Sequence, residues 1–247
     1  MGGILFGVVV IAGGVGLLLA RKSQQKKRLE LRFAETVTAQ KVRENCESIA
    51  KDLGKGNYLA TIELKGVAQC DSPLTAEHSK TPCVWYHVTT TREYEERVQN
   101  KGSSGTTRRG SETVASRQDA TRFSLRDETG TILVDPKGAE IVPKVSFDEF
   151  KPEYGSFGGG GRKTVGYRYK EQIVPVGQTL YVFGEVSDPD GVLAVRKPTT
   201  DGRFIVSVKS EEELVHEYAG SAKFLYVAGV AALAIGLILI FYGACAG

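Results

Sequence analysis

Metal, thiol or imidazole chemistry in this chain would have to come from His78, His87, His216, Cys46, Cys70, Cys83 and Cys245, because 3 His and 4 Cys leave no others. They are dispersed, with no CxxC pair and no CxH step, so the paired spacings that hold structural zinc are missing. Nucleophilic chemistry has no better basis. Cys83 and His87 stand at alternate positions of one β-type run, on one face with Trp85 and roughly 13 Å apart, too far for a nucleophile and its base. Neither Gly-x-Ser-x-Gly nor His-Glu-x-x-His occurs. The segment Tyr154 to Gly161 (YGSFGGGG) has a phosphate-cradle composition and reads as flexible. It is followed by Arg162-Lys163-Thr164, whereas the Walker spacing needs Lys directly after the last Gly. No catalytic residue, cofactor-binding residue, cofactor or metal ligand set is therefore expected.

The elements that would carry any site begin with two uncharged apolar runs, Ile4 to Ala20 and Phe224 to Cys245. Roughly 20 apolar residues suffice for a helix to cross a bilayer. The first lacks the basic n-region of a signal peptide and carries Arg21, Lys22, Lys26, Lys27 and Arg28 after it instead, which reads as a retained anchor. Gly2 is followed by Phe6 where a myristoylation motif wants Ser or Thr. The same charges, by the positive-inside rule, keep the intervening domain cytoplasmic and put both termini outside. The cysteines would then stay reduced, and a Cys70–Cys83 disulfide would require the opposite orientation. The lipid bilayer is thus one partner. A formal net charge of +3 is too small to imply nucleic acid.

Between the spans, Leu29, Phe33, Val37, Val42, Cys46, Ile49 and Leu53 recur at helical steps, predicting a juxtamembrane amphipathic helix over residues 21–54 that stops at Gly54. Strand-type runs follow at 58–68, 83–98, 121–127, 131–135, 165–174, 179–187, 192–196 and 203–208. Residues 101–118 have almost no apolar side chain and read as a mobile hairpin loop. Ser210 and the acids after it start a short helix at 211–222 before the second span at 224–245. The expected fold is a membrane protein, with two transmembrane helices flanking a mostly β, barrel or OB-like soluble α+β domain over 55–210.

The strands carry an ordered series: Ser72-Pro73-Leu74-Thr75, Pro82-Cys83-Val84-Trp85-Tyr86, Phe123-Ser124-Leu125-Arg126-Asp127-Glu128-Thr129-Gly130, and Glu171 through Val174, Gly177, Leu180-Tyr181-Val182 and Gly184-Glu185. This series resembles the GIDE family, the BAM-domain ("beside a membrane") region of the Mulan/MAPL membrane E3 ubiquitin ligases, and extends to the two-span layout. The family-motif positions are Cys83, Trp85, Asp127, Gly130, Glu171, Gly177 and Gly184, with no role assigned. Each also has a structural reading. Asp127-x-Thr129-Gly130 suits a tight hairpin with Gly supplying positive φ, Gly177 a turn, Trp85 a core position and Glu171 an outward strand position.

The family's ligase members carry a RING after the second span, which needs about eight paired Cys/His ligands. This sequence stops at Gly247 without them, and RING-less members of this kind look prokaryotic, so a prokaryotic plasma membrane is expected. Two classes of function follow. The first is a membrane-anchored binding, sensor or scaffold module that meets a protein or small-ligand partner at the membrane surface. The second, which the resemblance implies, is an E3-ligase-like enzyme or a regulator of protein modification, with Asp127, Glu171 and Cys83 as its polar candidates. Clustering of those three in a concavity would favour the second, and dispersal into turns and core the first. Small faces at Gly3-x-x-x-Gly7 and Ala232-x-x-x-Gly236 imply that the spans associate with each other or with a second copy, leaving a homo-oligomer open.

Overall fold

A computed structural model describes residues 2–32, 36–98, 106–153, 162–189, 191–200 and 202–245. Among these described residues three helices, α1 (Gly2–Arg32), α2 (Ala39–Leu53) and α3 (Glu211–Cys245), accompany twelve strands. These are β1 (Leu59–Gln69), β2 (Leu74–Thr75), β3 (Pro82–Val98), β4 (Thr106–Ala120), β5 (Phe123–Arg126) and β6 (Thr131–Val134). Further along come β7 (Glu140–Val142), β8 (Lys144–Pro152), β9 (Arg162–Pro175), β10 (Thr179–Ser187), β11 (Ala194–Arg196) and β12 (Ile205–Ser207). The chain divides into a helical unit, 1–35 with 209–247, and a β unit, 36–208.

In the helical unit α1 and α3 are each long and apolar enough to cross a membrane. They run antiparallel, because glycines meet in reversed order. A Cβ on Gly7 would lie 2.8 Å from the Gly236 carbonyl oxygen, and one on Gly14 would lie 3.0 Å from that of Gly229. Backbones this close leave no room for side chains, so glycine at seven-residue spacing on both helices sets the approach. The expected short helix at 211–222 and the span at 224–245 are one continuous α3. Gly220 alone does not break it, since one helical glycine costs only about 1 kcal/mol.

The β unit is built on a five-stranded barrel. Strand β1 pairs antiparallel with β5, β5 with β6, β6 parallel with β11, β11 antiparallel with β10, and β10 back with β1 along Leu59–Val67. Alternation puts Ile62, Leu64, Phe123, Leu125, Ile132, Val134, Val182 and Val195 in one core. β12 and β7 extend this sheet from β10. A second sheet, ordered β2-β3-β9-β8 with β4 continuing along the edge of β3 that β2 begins, opposite β9, arises from two excursions, one between β1 and β5 and one between β6 and β10.

Two expectations about local structure are corrected here. The helix expected over 21–54 is two helices: α1 ends at Arg32, and α2 starts at an extended Thr38 whose hydroxyl accepts from Lys41 N–H. Between them the Val37 N–H donates to the Glu63 carbonyl (3.0 Å), drawing the chain to β1. Gly54 (φ 86°) closes α2 as expected. Of the supposed loop, residues 106–118 belong to β4, which pairs with β3 from Val98/Thr106 to Trp85/Ala120. Main-chain bonds to β3 order this strand without an apolar face. Residues 101–105 and 154–161 lie outside the described residues, as does Gly247.

Candidate functional site

The seven motif residues do not converge on one concavity. Asp127 lies in the β5–β6 turn, where one carboxylate oxygen accepts from the N–H groups of Thr129 (2.7 Å) and Gly130 (2.9 Å). Its other oxygen accepts from Ala39 N–H at 2.7 Å, an orphan donor of the first turn of α2. Burial pushes this carboxyl's pKa up, but these bonds together hold it below the usual value. Gly130 does not take the left-handed conformation expected of it, because the Asp127 side chain shapes the turn instead. Gly177 does (φ 79°), at the β9–β10 turn. Gly184 lies inside the barrel, where a Cβ would come within 2.7 Å of the Phe204 ring.

Glu171 is the clearest departure from expectation. Rather than pointing outward it is fully buried, under the turn that links β2 to β3. Its carboxylate accepts from His78 N–H (2.6 Å), Ser79 N–H (3.1 Å) and the Ser146 hydroxyl (2.7 Å). Burial acts to raise its pKa, yet the donors outweigh burial and hold it at about 2. The His78 ring stacks on Phe147 with centroids 4.7 Å apart, closing the turn over the carboxylate. The flanking polar run Tyr167 to Lys170 hid this burial; the donors come from residues 78, 79 and 146, far off in sequence.

Cys83 and His87 do not share a face. The β3–β9 register shifts between Cys83 and Trp85, and this irregularity reverses the alternation there. Cys83 is therefore buried with Ala76, Tyr86, Val88 and Ile173, and burial followed by the nearby Glu171 charge pushes its thiol up to about 11. Trp85 and His87 lie together on the opposite face, ring centroids 6.0 Å apart, with His87 Nε2 3.0 Å from the Ser116 hydroxyl. Cys46, Cys70 and Cys83 are free thiols. Among the described residues no group of three or more His, Cys, Asp or Glu side chains is arranged to hold a metal ion.

Trp85 is only half-buried. One side packs on the barrel core, and the ring also lines a cavity of about 510 Å³ with Gln118, Ala120, Arg122, Lys137 and Ile141. Arg122 Nε donates to Asp135 (2.8 Å), whose other oxygen accepts from Lys137 N–H (3.3 Å), so the wall is braced. Sequence reasoning missed Arg122, Asp135 and Lys137; the only local signal was a polar cluster flanking two short strands.

α2 covers the end of the barrel that carries the β5–β6 turn and the β10–β11 connection. Ala39 and Val42 enter the barrel core, Arg43 donates to the Thr131 carbonyl, and the Cys46 thiol donates to Asp188 (3.7 Å). Asp188 also accepts from Gly56 and Tyr58 N–H groups, and these bonds outweigh burial to lower its pKa. Glu63, buried on β1, accepts from the Thr36 (2.6 Å) and Tyr181 (3.1 Å) hydroxyls and lies 3.3 Å from Lys65.

A five-stranded β barrel with an inserted sheet, accompanied by two apolar terminal helices, defines the class of this protein. A match to the family described as "GIDE: E3 Ubiquitin ligase" covers residues 91–241, more than half of the chain, and the chain belongs to the GIDE family. The matched segment includes Asp127, Gly130, Glu171, Gly177 and Gly184, while Cys83 and Trp85 precede it. No curated protein and no solved structure gives a match.

Proposed function

We propose that this chain is a membrane-anchored binding module of the GIDE family. In this reading α1 and α3 span a prokaryotic plasma membrane, the β unit is cytoplasmic beside the basic run after the first span, and both termini face outward. A protein or small-ligand partner is recognised at the membrane surface. The observation that carries this is the state of the motif side chains. The Asp127 and Glu171 carboxylates are occupied by structural hydrogen bonds and Cys83 is a buried, high-pKa thiol, whereas the Trp85 cavity is open and polar-rimmed. Catalysis requires a group within reach of a reacting atom, and these three are dispersed through turn and core. The barrel order, with its third and fifth strands parallel, also resembles OB barrels, which are binding folds; that analogy does not choose the ligand.

The family description favours a second reading, a ubiquitin-ligase-like enzyme. Against it, these 247 residues contain no paired Cys/His spacing for zinc. The two readings separate in one preparation of the full chain, purified from native membranes in mild detergent. A binding module retains a near-stoichiometric partner and fails to discharge ubiquitin from a charged conjugating enzyme. Discharge that is lost on chelation, with zinc found by elemental analysis, would replace it with the ligase reading.

A further inference from the structure

Strand β4 pairs with β3, and among the described residues no strand pairs with its other edge. Which of its peptide groups face that edge follows from the register. Thr121 N–H donates to the Val84 carbonyl at 2.9 Å, one step beyond the Trp85/Ala120 pair, so Val84 and Thr121 oppose each other as a hydrogen-bonded pair. Such pairs recur at every second residue, at Tyr86/Asp119 and Val88/Arg117. Ser116, Gln118 and Ala120 therefore turn their N–H and C=O groups outward. The Ala120 N–H is taken by the Asp119 carboxylate (2.8 Å), which leaves the donors of Ser116 and Gln118 open.

This stretch is only partly defended for a sheet edge. Natural edges are blunted by charged side chains, proline or a bulge; Ser116 to Ala120 has no proline, lysine or bulge, its Arg117 is paired with Glu77, and its Asp119 caps only the Ala120 N–H. The irregularity of β4, opposite Thr90 and Thr91, lies just before it and leaves it regular. Of these residues Gln118, Asp119 and Ala120 line the 510 Å³ cavity, where Trp85 and Ile141 offer an apolar anchor site. At its rim the Arg122 guanidinium is occupied by Asp135, while the Lys137 ammonium has no partner among the described residues. An open strand edge beside a pocket and one uncompensated cation is the arrangement for an extended peptide, recognised by its main chain and by one side chain.

We propose that the Ser116–Ala120 edge of β4 and the Trp85 cavity together take an extended peptide by strand addition, with an apolar side chain in the cavity and an adjacent carboxylate at Lys137. This rests on the binding-module reading and names its surface and its class of partner.

Trp85 is the chain's only tryptophan, so its emission reports on this cavity directly. The probe is a defined library of capped heptapeptides of alternating Thr and Val, with Leu, Phe or Tyr at the centre and Glu or Lys beside it, titrated into the full chain in detergent. Saturable shifts are expected for Glu-bearing members, weakened about tenfold by Lys in place of Glu or by N-methylation of the strand-forming amides. Gln118→Pro removes an edge-facing N–H and no ladder bond, and it should weaken binding about tenfold. Lys137→Glu, an exposed change, should reverse the Glu-over-Lys preference. No saturable response up to about 1 mM from any member, or equal binding of N-methylated peptides, overturns the proposal. A native-membrane partner that Gln118→Pro still retains in full would remove this surface while leaving the binding-module reading intact.

Discussion

The end of the barrel under α2 and the open edge of β4 are opposites in how they treat polar groups. Under α2, the Asp127 and Asp188 carboxylates are occupied by main-chain donors of neighbouring segments, and Ala39 and Val42 fill the core. Along β4, most side chains are exposed and one edge of the backbone is left without a strand partner among the described residues. Unsatisfied groups are costly where water is excluded and harmless where it is not. The difference therefore separates a region built for stability from one free to exchange water for a partner.

The largest effect that would sharpen this contrast is in the core. Phe123→Ala removes a large buried side chain and should cost about 3–5 kcal/mol, while Val114→Ala on β4, half exposed, should stay within about 0.5 kcal/mol. Urea midpoints of the β unit within the full chain measure both, and equal shifts would erase the distinction.

Glu171→Gln comes next. It sets an amide among the donors His78 N–H, Ser79 N–H and Ser146 Oγ–H, which should cost about 1–3 kcal/mol rather than being silent as an outward glutamate would be. The native carboxyl titrates at about 2 against an ordinary 4.5, so its contribution is fully present above pH 4.5 and is lost as pH falls through about 2. Wild type should thus lose more stability than Glu171→Gln between those pH values; parallel pH profiles would contradict the assignment.

Asp127→Asn should have a smaller effect, about 1 kcal/mol, because it weakens one helix-start bond and a turn without opening the core. Faster amide hydrogen exchange confined to α2 and the β5–β6 turn is the expected signature. Acceleration throughout the barrel would mean that the carboxylate supports far more than the seating of α2.

The barrel was largely legible in the sequence, since its strands alternate apolar residues inward, as Ile62/Leu64 and Phe123/Leu125 do. β4 was not, because an edge strand is ordered by main-chain bonds to β3 that leave no mark on its own side chains. The start of α2 did leave a mark: the apolar step widens from four residues to five between Val37 and Val42, across the extended Thr38 that caps α2. Burial of Glu171 had no local signal, as its donors lie in distant segments. Trp85 was half read, as a core side chain whose exposed side faces a cavity made by residues 118–122 and 135–141.

The separation of a stability region from a binding surface is tested most directly by hydrogen exchange. The full chain is compared as purified from native membranes, with any protein that co-purifies, and after that protein has been stripped. A bound partner is expected to protect the amides of Ser116 and Gln118 and the residues around Trp85, with α2, β5 and β6 unchanged. Protection gained at α2 and the β5–β6 turn, with β4 unaffected, would contradict this expectation.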